Sequence, residues 1–148
     1  MSTRNALPLS ATHLVRDNCL CLHVQRAARG LARRFDDVFR PLGLTHGQFS
    51  LLMSLNRPEP PTIGSVAALL AMDRTTLTAA LKPLERRKLV KVSVDAEDKR
   101  SRRLAITATG RALLAKAFPL WTQTHAEIER SIPRGSADDL REALRSLA

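Results

Sequence analysis

The sequence predicts a mainly α-helical fold carrying one small β-hairpin. Three observations lead there. The apolar residues are chiefly Leu, Ala, Val and Ile, with four Phe, one Trp and no Tyr, a mix that suits helices better than a sandwich of short strands. Apolar positions recur at spacings of three and four along most of the chain, and the period changes to two only over 90–94 and 103–106. The 148 residues are 44% hydrophobic and 26% charged, enough for one domain with a packed core and not the composition of a disordered basic tail. Twenty-four Lys and Arg against fourteen Asp and Glu give a net charge of +10, which points to a polyanionic partner. The same balance argues against an acidic storage protein or a neutral secreted hydrolase.

The first expected element is one long helix over 14–42, because Cys21, Val24, Ala28, Leu31, Phe35, Val38 and Leu42 form a narrow apolar seam. Such a seam is most easily covered by a second long helix or a second copy of the chain. Pro41 and Gly43 stop the helix, and Thr45 followed by Gln48 reads as a capping box that opens another running to Leu55. Consecutive prolines in 57–61 force a break. Thr62 can then cap a helix over 63–71, and Asp73 one from Arg74 to about Arg87, with only Met72 between them. Two short helices joined by a tight turn form a helix-turn-helix. Val90, Val92 and Val94, then Leu104 and Ile106, alternate with polar or small residues as the two strands of a hairpin. Its tip, 95–102, holds three acids and three bases and projects as a wing. Thr107 opens a helix towards Ile132 with a bend at Pro119, and Ser136 with Asp139 opens a last helix over 137–147.

Charge is concentrated where this pattern places a DNA-reading element. Between Asp73 and Arg103 ten bases face five acids, so about a fifth of the chain carries half of its net charge. On the helix after Asp73 the inward stripe is Leu77, Leu81 and Leu84. Thr75, Ala79, Lys82 and Arg86 then lie on the opposite face, flanked by Arg74, Thr76 and Thr78. Hydroxyls and long bases suit a major groove, where Arg can read guanine with two hydrogen bonds and a Thr methyl can meet thymine.

These residues resemble those of the MarR-type winged helix-turn-helix regulators over nearly the whole chain. The resemblance rests on Asp73-Arg74-Thr75-Thr76-Leu77-Thr78, Leu84-Glu85-Arg86-Arg87 and Leu89-Val90, and on the wing residues Asp98-Lys99-Arg100-Ser101 leading to Leu104, Ile106, Thr107 and Gly110. It implies a single domain, 1–148, in which 45–107 form the winged helix-turn-helix and helices in 12–42 and 108–148 hold a homodimer. It further implies that each recognition helix enters a major groove of double-stranded DNA, with half-sites about one helical turn apart, roughly 10 base pairs, or a multiple of that. Arg100, with Arg102, would enter the flanking minor groove, and Asp98 would orient a wing arginine. Two residues depart from the family pattern. Pro83 stands inside the recognition helix and is expected to kink it, and Lys88 stands where the family has a helix-ending glycine.

From Cys21 through Gln48 and Phe49 the spacing is similar to that of the family's organic-hydroperoxide sensors (the OhrR group), whose reactive cysteine falls at Cys21. Their activating tyrosines are replaced here by Phe35 and Phe49, with His46 nearby. Cys21 is thus either a small buried hydrophobe with a raised pKa or a redox sensor. The resemblance also implies a small aromatic or phenolic ligand between the dimer helices and the winged unit, near Cys21, His46 and Phe49. Cys19 and His23 could share a metal but do not make a site, so no metal and no cofactor is expected. No Gly-rich phosphate loop, glycine-flanked Ser or isolated carboxylate pair is present, so no enzyme is expected. No apolar run approaches the roughly 18 residues of a membrane span, and 1–12 lacks the charged and apolar regions of a leader, so a cytoplasmic location with reduced Cys is expected. Two functions fit: a DNA-binding regulator, most simply a repressor released by a small ligand or by oxidation, and a sequence-blind architectural DNA-binding protein.

Overall fold

The computed structural model describes residues 6–148. The first five residues, part of the stretch read above for a leader, lie outside the described residues. The chain divides into two compact units, Met1–Arg34 and Phe35–Ala148. The first contains α1 (Leu9–Asn18) and most of α2 (Leu20–Phe39). The single helix expected over 14–42 is therefore two. Cys19 breaks it with extended backbone (ψ 110°); its N–H donates to the Val15 carbonyl, and its own carbonyl receives the His23 N–H at 3.1 Å and faces His23 Nδ1 at 2.7 Å. Asn18 lies at the break, and its side-chain amide donates to the Leu14 carbonyl, the kind of local competition that weakens a helix. Along this unit the seam residues Cys21, Val24, Ala28 and Leu31 are exposed, so the single chain leaves this part of the seam uncovered, and Leu14 and Leu20 are exposed as well.

The second unit is the helical core and its hairpin. After α2, Arg40–Leu42 form a 3-10 turn closed by Gly43 in left-handed geometry. Thr45 opens α3 (His46–Ser54) with both reciprocal bonds of a capping box. Thr62 caps α4 (Ile63–Leu69), which ends earlier than expected because Ala71 turns left-handed, φ 51°. Asp73 caps α5 (Arg74–Arg86), which runs through Pro83 without a break. The hairpin β1 (Val90–Val94) and β2 (Arg102–Ile106) pairs Val90 with Ile106 and Val92 with Leu104. Thr107 caps α6 (Ala108–Arg130), continuous through Pro119, and Ser136 caps α7 (Ala137–Arg145), two residues shorter than expected. Phe39, Leu52, Leu77, Leu84 and Leu104 are fully buried and join α2, α3, α5 and β2 into one core. No helix among the described residues is long and apolar enough to cross a membrane.

Three helix ends in this unit share one design. At Gly43, Ala71 and Lys88 a left-handed residue donates its N–H to the carbonyl three residues back, while the next N–H reaches five back: Leu44 to Phe39, Met72 to Ala67, Leu89 to Leu84. This is the Schellman arrangement, which satisfies carbonyls a helix end would otherwise orphan. Glycine takes that geometry freely, whereas Lys88 at φ 58° carries a Cβ against it. Lys88→Gly is expected to stabilise the fold by about 1 kcal/mol, seen as a higher urea midpoint.

One corner joins the end of α5 to the start of α6. The Thr107 N–H donates to the Leu89 carbonyl at 3.0 Å, its hydroxyl donates to the Lys88 carbonyl at 2.7 Å, and the same oxygen accepts the Gly110 N–H. Gly110 is buried there because its Cα faces the Leu89 carbonyl directly.

Candidate nucleic-acid interface

The recognition face is set by which side of α5 is buried. Leu77, Leu81 and Leu84 point into the core, leaving Arg74, Thr75, Thr76, Thr78, Lys82 and Arg86 exposed on the outer faces, as the 3.6-residue period requires. The three threonines differ in what their hydroxyls are doing. Thr76 donates both its N–H and its hydroxyl to the Asp73 carboxylate at 2.7 Å, and these bonds hold that carboxyl below its ordinary range. The Thr78 hydroxyl donates to the Arg74 carbonyl at 2.7 Å. Only Thr75 among them has no side-chain hydrogen bond, so its donor is free, while Thr76 and Thr78 offer methyls and lone pairs.

The wing residues differ in what their polar groups are doing. Asp98 pairs no arginine side chain among the described residues: its carboxylate accepts the Arg100 N–H at 3.0 Å, and the Ser101 N–H donates to its carbonyl, so it shapes the turn. A carboxylate two residues before a backbone N–H in a turn is satisfied locally, which is why it does not reach a side chain. Arg100 stands at the tip with its side chain unpaired among the described residues. Arg102 folds back, its Nη1 donating to the Lys99 and Ser101 carbonyls at 3.1 and 3.2 Å.

Two arginines that the charge run included are structural. Arg103 lies 3.4 Å from the buried Asp95 carboxylate and donates to the Pro60 carbonyl at 2.9 Å. With the Leu104 N–H donating to the Pro61 carbonyl, it fastens the base of the wing to the proline-rich connection. Arg87 donates to the Gly43 carbonyl at 2.6 Å, tying the end of α5 to the turn after α2. Both links span more than forty residues of chain, so no local pattern announces them.

Each residue considered for sensing is placed within its own unit. Cys21 belongs to the first unit and is exposed in the single chain, with Gln25 Nε2 donating to its sulfur at 3.2 Å. His46 is exposed, its N–H donating to the Asp36 carboxylate at 2.7 Å and its ring Nδ1 3.4 Å from the same group. Phe49 is buried and stacks on Phe39, ring centroids 4.8 Å apart, and on Trp121 at 6.4 Å. Phe49 and Trp121 wall a cavity of about 630 Å³ with Met53, Leu70, Phe118 and Arg57; His46 is not among its walls. Such a volume and lining suit a small, mostly apolar molecule. Among the described residues no group of three or more His, Cys, Asp or Glu could hold a metal.

Comparison with known proteins agrees with this geometry. A sequence model of the MarR family matches residues 44–101. The organic hydroperoxide resistance transcriptional regulator of Bacillus subtilis is 29% identical over 108 residues, covering 73% of this chain and 74% of that protein. The crystal structure of the M. tuberculosis transcriptional regulator MosR in complex with DNA superposes with a TM-score of 0.80 at 39% identity, over 88% of this chain and 93% of that one. The transcriptional repressor CouR bound to a 23-mer DNA duplex gives 0.72 at 28% identity, over 97% and 96%.

Proposed function

Because the chain belongs to the MarR family of transcriptional regulators, we propose that it is a homodimeric repressor, not an enzyme, that binds a pseudo-palindromic operator. The observation that carries this reading is the face of α5. A helix buried on Leu77, Leu81 and Leu84 presents a free Thr75 hydroxyl beside Lys82 and Arg86, with unpaired Arg100 on the wing. Residues 45–107 act as the DNA-binding unit in this reading. Helices within 12–42 and 108–148 dimerise, a role supported by exposed Val24 and Leu31 on α2 and Leu140 and Leu144 on α7. Arg74, Lys82, Arg86 and Arg102 hold phosphates, Arg100 enters the minor groove, Asp98 shapes the wing turn, and Thr75 with Thr76 and Thr78 reads bases.

Release follows from a signal that binds or modifies one dimer state better than the other. A small aromatic or phenolic ligand against Phe49 and Trp121 is one such signal. Oxidation of the exposed Cys21 is the other, with no tyrosine in the chain to assist its thiolate.

A protection footprint on DNA upstream of the protein's own gene, at physiological salt, with and without an organic hydroperoxide, tests both levels. A short two-fold-symmetric site is expected. Arg100→Ala should weaken binding about tenfold and lower the salt slope by about one, and Thr75→Ala should relax base preference at one position per half-site. Uniform, salt-labile coverage would favour the sequence-blind alternative. Loss of the footprint with oxidant, abolished by Cys21→Ser, selects oxidation; persistence selects a ligand.

A further inference from the structure

Gly64 and Arg74 meet across the helix-turn-helix. Arg74 opens α5, and no hydrogen bond or ion pair engages its side chain among the described residues, since the neighbouring Asp73 carboxylate is taken by Thr76. Its guanidinium lies over Gly64, the second residue of α4. A Cβ on Gly64 would stand 2.9 Å from Arg74 Nη2, 3.6 Å from Cζ and 3.9 Å from Nε. The backbone of Gly64 is helical, so no turn or left-handed geometry calls for glycine there. Glycine weakens a helix that alanine would strengthen. What the missing side chain provides is room for the guanidinium.

From this juxtaposition we infer that Gly64 is a positioning residue for DNA binding: it seats the Arg74 guanidinium across the first turn of α4 as a clamp for a backbone phosphate. The inference rests on the DNA-binding reading above and assigns Arg74 to the phosphates and not to the bases. An arginine laid back against α4 has used its reach away from the groove-facing side of α5. Its charge remains uncompensated at the point where the two short helices start, and a planar guanidinium with several N–H donors suits a phosphate oxygen pair. Phosphate contacts of this kind set register and affinity without selecting sequence.

The test uses the full-length protein and its Gly64→Ala, Arg74→Ala and doubly substituted forms, each titrated on the footprinted operator and on a random duplex over a salt series, with thermal melts alongside. Arg74→Ala should lower affinity about tenfold on both duplexes and reduce the salt slope by about one. Gly64→Ala should melt no lower than wild type, because the obstacle is the far end of a flexible side chain, yet bind several-fold more weakly on both. The double form should bind like Arg74→Ala alone, since the seat has no role once the arginine is gone. Additive losses, wild-type affinity for Gly64→Ala, or a lowered melting temperature for it would each overturn the seat. A loss confined to the operator would overturn the phosphate assignment. Wild-type protein that leaves both duplexes unbound would instead overturn the DNA-binding reading itself.

Discussion

Gly110→Ala is expected to destabilise the protein by about 3 kcal/mol or more, above the usual range for an overpacked site. The added Cβ would lie 2.3 Å from the Leu89 carbonyl oxygen and 2.8 Å from Ile106 Cγ1. The carbonyl cannot retreat cheaply, because it accepts the Thr107 N–H at 3.0 Å and its neighbour, the Lys88 carbonyl, accepts the Thr107 hydroxyl. Relief requires α6 to lift from the corner where α5 passes into β1, breaking those bonds and exposing Leu89 and Ile106, which are now buried. The contrast with Gly64 is instructive: there the close atom belongs to a mobile guanidinium, here to backbone. Urea denaturation followed by circular dichroism reads the effect as a lowered midpoint. A midpoint equal to that of the parent would mean that the corner opens freely.

Phe39→Ala is expected to cost about 4 kcal/mol, in the range for emptying an aromatic site in a closed core. Phe39 is fully buried, and its ring stacks on Phe49 at 4.8 Å and on Phe35 at 5.9 Å. Such pairs add about 0.5–1.5 kcal/mol beyond the area they bury. Against a typical total of about 5–15 kcal/mol, the substitution removes a large share of the stability and should lower the thermal midpoint by roughly 10–15 °C. Phe39→Leu should recover much of the loss, because it refills volume without the stacking. Chemical denaturation of the pair checks this, and a loss below about 1 kcal/mol for the alanine form would show that the neighbouring rings collapse into the space.

The helix starts were legible in the sequence because capping is local. Thr45 with Gln48, Thr62, Asp73, Thr107 and Ser136 each form the bond their spacing suggests. The period change at residue 90 was equally plain, since a strand face repeats every second residue whatever surrounds it. The break at Cys19 was not legible: it falls just before the first seam residue, Cys21, and neither Gly nor Pro stands there to mark it. Ala71 gave no warning either, as alanine carries no preference for left-handed geometry. On α5 the spacing separated the buried from the exposed face but could not say that two of three threonine hydroxyls are occupied. Arg87, Arg103 and the Gly64 seat depend on residues that come together only when the chain has folded. The bond Asp98 makes was not legible either, because the sequence places its carboxylate near several bases without saying that it meets the Arg100 backbone N–H first.

The chain has one tryptophan, and it stands in the wall of the cavity with Phe49 on one side and His125 stacked 4.6 Å away. Indole emission responds to the polarity and the rings around it, so the molecule carries its own optical reporter at the place where a ligand would dock. Occupancy of the cavity becomes readable in unlabelled protein, and because no tyrosine contributes, every photon of that intrinsic signal comes from one address.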